Sequence, residues 1–107
     1  PILSTGGSSS FVDCCNGPPL GLRESTSFTL NRLQLAREST LTLYTDGITE
    51  AFNLNRLEFG EDRLLASLQI NQTGATAALE CVLDSVTRFA SGTEQSDDIT
   101  LMLLRRS

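Results

Sequence analysis

The sequence predicts an α+β fold of short strands with two helices. Three observations predict it. Leu41 to Thr45 alternates apolar and polar residues, with β-branched and aromatic members, as a half-buried strand does. Residues 74–90 carry apolar side chains at Ala75, Ala78, Leu79, Val82, Leu83, Val86, Phe89 and Ala90, the i, i+3, i+4 spacing of a helix with one buried face. Leu101 to Leu104 is the longest apolar run and reads as a buried closing strand. A length of 107 residues allows one domain at most, or part of one. Hydrophobic content of 39% with 20% charged residues is that of a globular chain rather than a disordered one.

Taken in order, Pro1 to Thr5 is an extended piece, and Gly6-Gly7 supplies the positive backbone angles of a two-residue hairpin turn. Ser8 to Cys15 is expected to return as a second strand, with Phe11 as its apolar anchor and Cys14 and Cys15 on opposite faces. Asn16 to Leu22 is a turn-rich connection, and its two prolines keep it outside the sheet or on its rim because they cannot donate to a ladder. Thr26 to Leu35 alternates through Phe28 and Leu30, less cleanly at Leu33 and Leu35, and reads as one strand with a bulge near Asn31-Arg32. Ala36 to Ser39 is a turn, and Thr40 to Thr45 is the central strand.

Asp46-Gly47 then breaks that strand, since glycine accepts backbone angles that strands and helices do not use. Ile48 to Asn53 is a short helical turn, and Leu54 to Glu58 a polar surface loop. Phe59-Gly60 opens a helix of about two turns, with Glu61 and Asp62 where the helix dipole favours acids and Leu64, Leu65 and Leu68 as its apolar face. Gln69 to Thr73 is a loop, and Thr73 is the expected N-cap of the helix from Gly74 to about Ala90. The outer face of that helix carries Glu80, Asp84 and Arg88, and Gly92 is its natural stop. Thr93 to Ser96 is a loop, Asp97 to Leu104 is the last strand, and Arg105 to Ser107 form a charged tail.

The net charge of −5 suits a soluble acidic surface and argues against non-specific nucleic-acid binding, which needs a basic footprint. A phosphate ligand would need a metal cation to offset repulsion. The three cysteines make no disulfide framework, and without a CxxC motif or a single histidine a structural zinc site is not expected. They read as buried free thiols of a reducing, cytoplasmic compartment. The absence of histidine also excludes Ser-His-Asp and Cys-His mechanisms within the chain. No apolar run approaches the roughly 20 residues of a membrane span, and no signal peptide is visible.

The residues that could carry chemistry are Asp46, Glu50, Asp97 and Asp98. Asp46 leaves the central strand and Asp97-Asp98 enters the last one, so the acids meet if those strands are neighbours in one sheet. Carboxylates from separate strand ends suit hard divalent cations, which take oxygen ligands and keep several waters. Glu50 joins Asp46 on one side only if the turn between them is helical. The plainer account is that Asp-Gly is a common turn and Asp-Asp a common capping cluster.

Leu43-Tyr44-Thr45-Asp46-Gly47-Ile48-Thr49-Glu50-Ala51, then Phe59-Gly60 with Arg63-Leu64, then Gln95-Ser96-Asp97-Asp98-Ile99-Thr100-Leu101, resembles the C-terminal half of the metal-dependent (PPM-type) protein serine/threonine phosphatases. The similar branch is the bacterial stage II sporulation protein E and sigma-regulator group. Gly17 to Leu22 resembles that group's Pro-Leu-Gly connection, and Pro1-Ile2-Leu3 the residues after its Ala-Gly-His-X-Pro motif. The resemblance thus covers almost the whole chain. It implies an α-β-β-α sandwich of mainly antiparallel strands, here truncated with two helices packed on one face, and two Mn²⁺ or Mg²⁺ ions bridging an activated water. That water attacks a phosphoserine or phosphothreonine monoester in line, with no phosphoenzyme. Carried over, Asp46 and Asp97 match direct metal ligands. Glu50 matches an acidic position that can support a weaker third metal, and Asp98 one that supports the loop more than it binds metal. Thr100 is expected to pack or hydrogen-bond near the strand start. Phe59, Gly60 and Arg63 are expected to be structural, with substrate holding the alternative for Arg63. The implied substrate is a phosphorylated anti-sigma-factor antagonist, and the implied catalytic domain often follows a sensor or receiver domain.

The departure from the family is the N-terminal half, with its first Asp-Gly ligands and its Ala-Gly-His segment. Residues 1–107, beginning at Pro1 with Met102 as the only methionine, are expected to be the C-terminal part of a single phosphatase domain. Alone they are expected to fold marginally, expose sheet edges, bind metal weakly and show little or no activity. The alternative from another class is a non-catalytic regulatory or protein-interaction module on the same fold, which the four acids argue against. A simple acidic domain with no site is a third reading, and it predicts no metal-dependent change in stability.

Overall fold

Gly6 and Gly7 turn the start of the chain back on itself. In the computed structural model, which describes residues 1–14, 16–69 and 73–107, both have positive φ (59° and 82°). They join β1 (Ile2–Thr5) to β2 (Ser8–Phe11) with Thr5 opposite Ser8. β1 pairs on its other side with β3 (Thr40–Tyr44), and β3 with β4 (Leu101–Arg105), in a four-stranded antiparallel sheet of order β2-β1-β3-β4. Three helices complete the chain: α1 (Asp46–Thr49), α2 (Gly60–Leu68) and α3 (Ala75–Phe89). This is the α+β fold expected, with β3 at the centre.

Register decides which residues meet the helices, because directly opposed residues share a face. Ile2, Thr42 and Leu103 form one cross-strand row. Ile2 joins Ile48, Phe59, Leu64, Leu68, Ala78, Val82 and Val86 in a single core, with Leu103 packed against it. The buried residues of α3 are Ala78, Val82 and Val86, each four apart, as the helical period requires. The row Leu3, Leu41 and Leu104, and the pair Leu43 and Met102, point the other way. No helix covers that face among the described residues: Leu43 is 40% exposed, Leu104 58% and Met102 60%.

Several expectations are corrected. The run Leu101 to Leu104 alternates between half-buried and exposed rather than being buried throughout, because it is an edge strand with one face covered. β4 also starts at Leu101, not Asp97. β2 ends at Phe11, where its partner β1 runs out, and Phe11 is exposed and anchors nothing. Cys14 lies beyond that strand, it and Cys81 are half-buried rather than buried, and Cys15 lies outside the described residues. Thr26 to Leu35 forms no strand, and Phe28, Leu30 and Leu33 are exposed; alternation prepares a pleat, but a strand also needs a ladder partner. The N-cap of α3 is Gly74 rather than Thr73, with no side-chain capping bond.

Candidate metal centre

Antiparallel pairing brings the end of β3 beside the start of β4, with Tyr44 opposite Leu101. The two chains stay joined one residue further. The Thr45 N–H donates to the Thr100 carbonyl at 3.1 Å, and the Thr100 N–H donates to Thr45 Oγ1 at 3.1 Å. Thr100 therefore hydrogen-bonds near the strand start, as expected. The hydroxyl of Thr45 escaped sequence reasoning; a threonine closing a strand before a turn was the signal, since such hydroxyls bond nearby backbone.

Asp46 begins α1, and its carbonyl accepts the Glu50 N–H at 2.8 Å and the Thr49 hydroxyl at 3.4 Å. The turn is helical, so Glu50 sits one turn beyond Asp46. Gly47 is buried inside α1 and lacks the positive φ expected of a strand-breaking glycine. Its role is close approach. A Cβ there would collide with the Asp98 carbonyl oxygen and stand 2.9 Å from the Asp98 carbonyl carbon. On the β4 side, Asp97 Oδ1 accepts the Asp98 N–H at 2.8 Å, and the Asp97 carbonyl accepts Gln95 Nε2 at 2.8 Å.

Asp46, Glu50, Asp97 and Asp98 thus lie on segments gathered at one rim, and all four are exposed. Among the described residues, no three cysteine or carboxylate side chains are grouped so that they could hold a metal ion. The donor chemistry suits a hard cation that keeps its waters. The described residues do not complete a cage.

The surroundings of the rim are firmly built. Tyr44 donates from its hydroxyl to Glu61 Oε1 at 3.3 Å. Burial, and then the Glu61 charge and hydrogen bond, raise its pKa above the usual tyrosine value. Arg63 donates to the carbonyls of Glu58 (3.1 Å) and Phe59 (3.0 Å) and lies 4.6 Å over the Phe89 ring, which Phe59 meets edge-on at 5.5 Å. Arg63 and Phe59 are therefore structural here. Beside the rim, a cavity of about 400 Å³ lies between the segment after α1, the end of α3 and the loop before Asp97. Thr93 ties its walls together, its hydroxyl reaching the carbonyls of Phe52 (2.9 Å) and Ala90 (2.7 Å).

The family model for Stage II sporulation protein E (SpoIIE) matches residues 1–107. The chain belongs to the SpoIIE family. SpoIIE domains are of the PPM phosphatase type, which agrees with the motifs around Asp46 and Asp97. The SpoIIE-family chain is also similar to Protein IcfG of Synechocystis sp. (strain ATCC 27184 / PCC 6803 / Kazusa), at 31% identity over 91 residues. That match takes in 85% of this chain and 14% of the relative, so the chain spans only a small part of that relative's length. No solved structure matches it. No described helix is long and apolar enough to cross a membrane.

Proposed function

We propose that this SpoIIE-family chain is the C-terminal part of a phosphatase domain that hydrolyses phosphoserine and phosphothreonine monoesters on a protein. The substrate we propose is a phosphorylated anti-sigma-factor antagonist of bacterial, cytoplasmic signalling. The observation that carries the reading is the β3–β4 pairing, with Gly47 seated against the Asp98 carbonyl, at a rim that exposes Asp46 and Asp97. In this reading Asp46 and Asp97 hold Mn²⁺ or Mg²⁺, and Glu50 and Asp98 support them. One oxygen of Asp97 is oriented by the Asp98 N–H, which leaves the other for a cation. When bound, such ions supply a water of low pKa and neutralise charge on the phosphoryl group. The Thr45 and Thr100 hydrogen bonds hold the two acid-bearing segments in register, so neither must be ordered when substrate arrives. The remaining ligands come, in this reading, from the preceding half of the domain. The open apolar face of Leu43, Met102 and Leu104 supports a second sheet packing there as a sandwich.

The test uses the chain together with the polypeptide that natively precedes it. Mn²⁺ binding is measured by calorimetry, and Mn²⁺-dependent hydrolysis with a phosphoserine peptide. Asp46→Ala and Asp97→Ala are each expected to weaken Mn²⁺ binding and to lower hydrolysis by more than about 100-fold. A well-folded domain that cleaves neither the peptide nor a generic phosphate ester would overturn the enzyme and leave the non-catalytic module.

A further inference from the structure

We infer that the cavity beside the rim is a subsite for a lysine or arginine side chain close to the phosphorylated residue of the substrate. The inference rests on the phosphatase reading above and adds a sequence preference to it. The more buried part of the lining is mainly apolar: Val86 in α3 and Ala90 at its C-cap, Ala51 and Phe52 after α1, and Ile99. Its mouth is polar, with Glu94, Gln95 and Ser96 exposed. Glu94 is the one charged side chain in the lining, and no lysine or arginine lines it. An acidic side chain entering here meets a carboxylate, and a purely apolar one gains nothing from it. A cation on an aliphatic stem satisfies both parts, since such side chains bury their methylenes and keep the charged head at the surface.

Position and shape agree with this occupant. Gly47 and Ser96 line the cavity and directly adjoin Asp46 and Asp97 in the chain. A Cα step is about 3.8 Å, so the subsite serves residues within two or three positions of the phosphoresidue. The volume, about 400 Å³, lies toward the small end of the roughly 300–1,000 Å³ range of ligand pockets. It admits a side chain rather than a folded element. The Thr93 bonds to Phe52 and Ala90 fix the loop wall in advance, so binding spends little on ordering it.

The experiment compares phosphoserine peptides that differ at one flanking position, lysine against alanine against glutamate, on the Mn²⁺-loaded chain with its native flanking polypeptide. The lysine peptide is expected to exceed the glutamate peptide about tenfold in kcat/KM, carried by KM. Glu94→Lys is expected to reverse that order, and Ala90→Phe, which fills the floor, to abolish it. Should Ala90→Phe fail to fold, the exposed Glu94→Lys decides alone. If p-nitrophenyl phosphate is hydrolysed but the lysine and glutamate peptides are treated alike, the subsite is overturned while the phosphatase stands. If neither the peptides nor p-nitrophenyl phosphate is hydrolysed, the phosphatase reading fails. Fluorescence anisotropy of the same labelled peptides then decides the cavity, and equal affinity for lysine and glutamate peptides overturns it.

Discussion

Gly47 carries no charge, yet it controls how closely the two acid-bearing segments approach. Helix propensity alone would favour alanine at this position of α1 by about 1 kcal/mol. The Asp98 carbonyl is a backbone group that cannot rotate away, so overpacking of about 1–3 kcal/mol works against that gain. Gly47→Ala is expected to lower the urea midpoint and displace the Asp97-Asp98 turn; a neutral or stabilised variant would show that the two segments do not touch. The residue was legible in the sequence and its reason was not, because close approach across two strands is a tertiary fact while an Asp-Gly turn is a local one. Tyr44 gives a second expectation at this scale. Its folded pKa is raised above the usual tyrosine value, first by burial and then by the Glu61 charge and hydrogen bond. Folding therefore favours the protonated phenol. That stabilisation is complete below pH 10 and is lost as the pH climbs from there through the folded pKa. Tyr44→Phe is expected to flatten this alkaline decline in denaturant titrations, and an unchanged slope would assign the decline elsewhere.

Elements with local signals were legible and those that need partners were not. The Gly6-Gly7 hairpin, β3, α2 and α3 follow from turn chemistry and period, and each stands close to where the residues put it. Segment 26–35 has the alternation of a strand, but no ladder partner engages it, so Phe28, Leu30 and Leu33 stay exposed. For the same reason the sequence brought Asp46 and Asp97 to one rim only conditionally: the β3–β4 neighbourhood is a pairing fact. Caps fall between the two cases. Thr73 has the right chemistry for an N-cap, yet the capping position is Gly74, in extended backbone at φ −179°, with open space around a built Cβ. Gly74→Asp is therefore expected to stabilise the chain by about 0.5–1 kcal/mol, through a side-chain acceptor for the orphan N–H groups and a less flexible unfolded chain. Thermal unfolding of this single variant checks it, and a lower Tm would mean that α3 begins elsewhere.

At the scale of the whole molecule the sheet is covered on one side. The extents of 44 × 36 × 19 Å describe a slab little thicker than one sheet with one helical layer. The radius of gyration is 15.3 Å, against about 13 Å for a compact chain of this length. The accessible surface is 7721 Å², about 1,900 Å² above that of a compact monomer of this mass. A surplus of that size is about twice the roughly 800 Å² that one partner gives to a standard protein interface, and it coincides with exposed Leu43, Met102 and Leu104 on one sheet face and Leu20, Leu22, Phe28 and Leu30 nearby in sequence to one another. If a second sheet of the same domain packs on this face, the face should behave differently in two contexts. In the isolated 107-residue chain, Met102→Lys with Leu104→Glu should suppress self-association in sedimentation velocity and change stability little. In the chain with its native flanking polypeptide, the same pair should destabilise the domain by more than about 3 kcal/mol, because charges would be forced into a packed interface. Equal, small effects in both contexts would mean that this face stays open, and the sandwich would then have to be rejected.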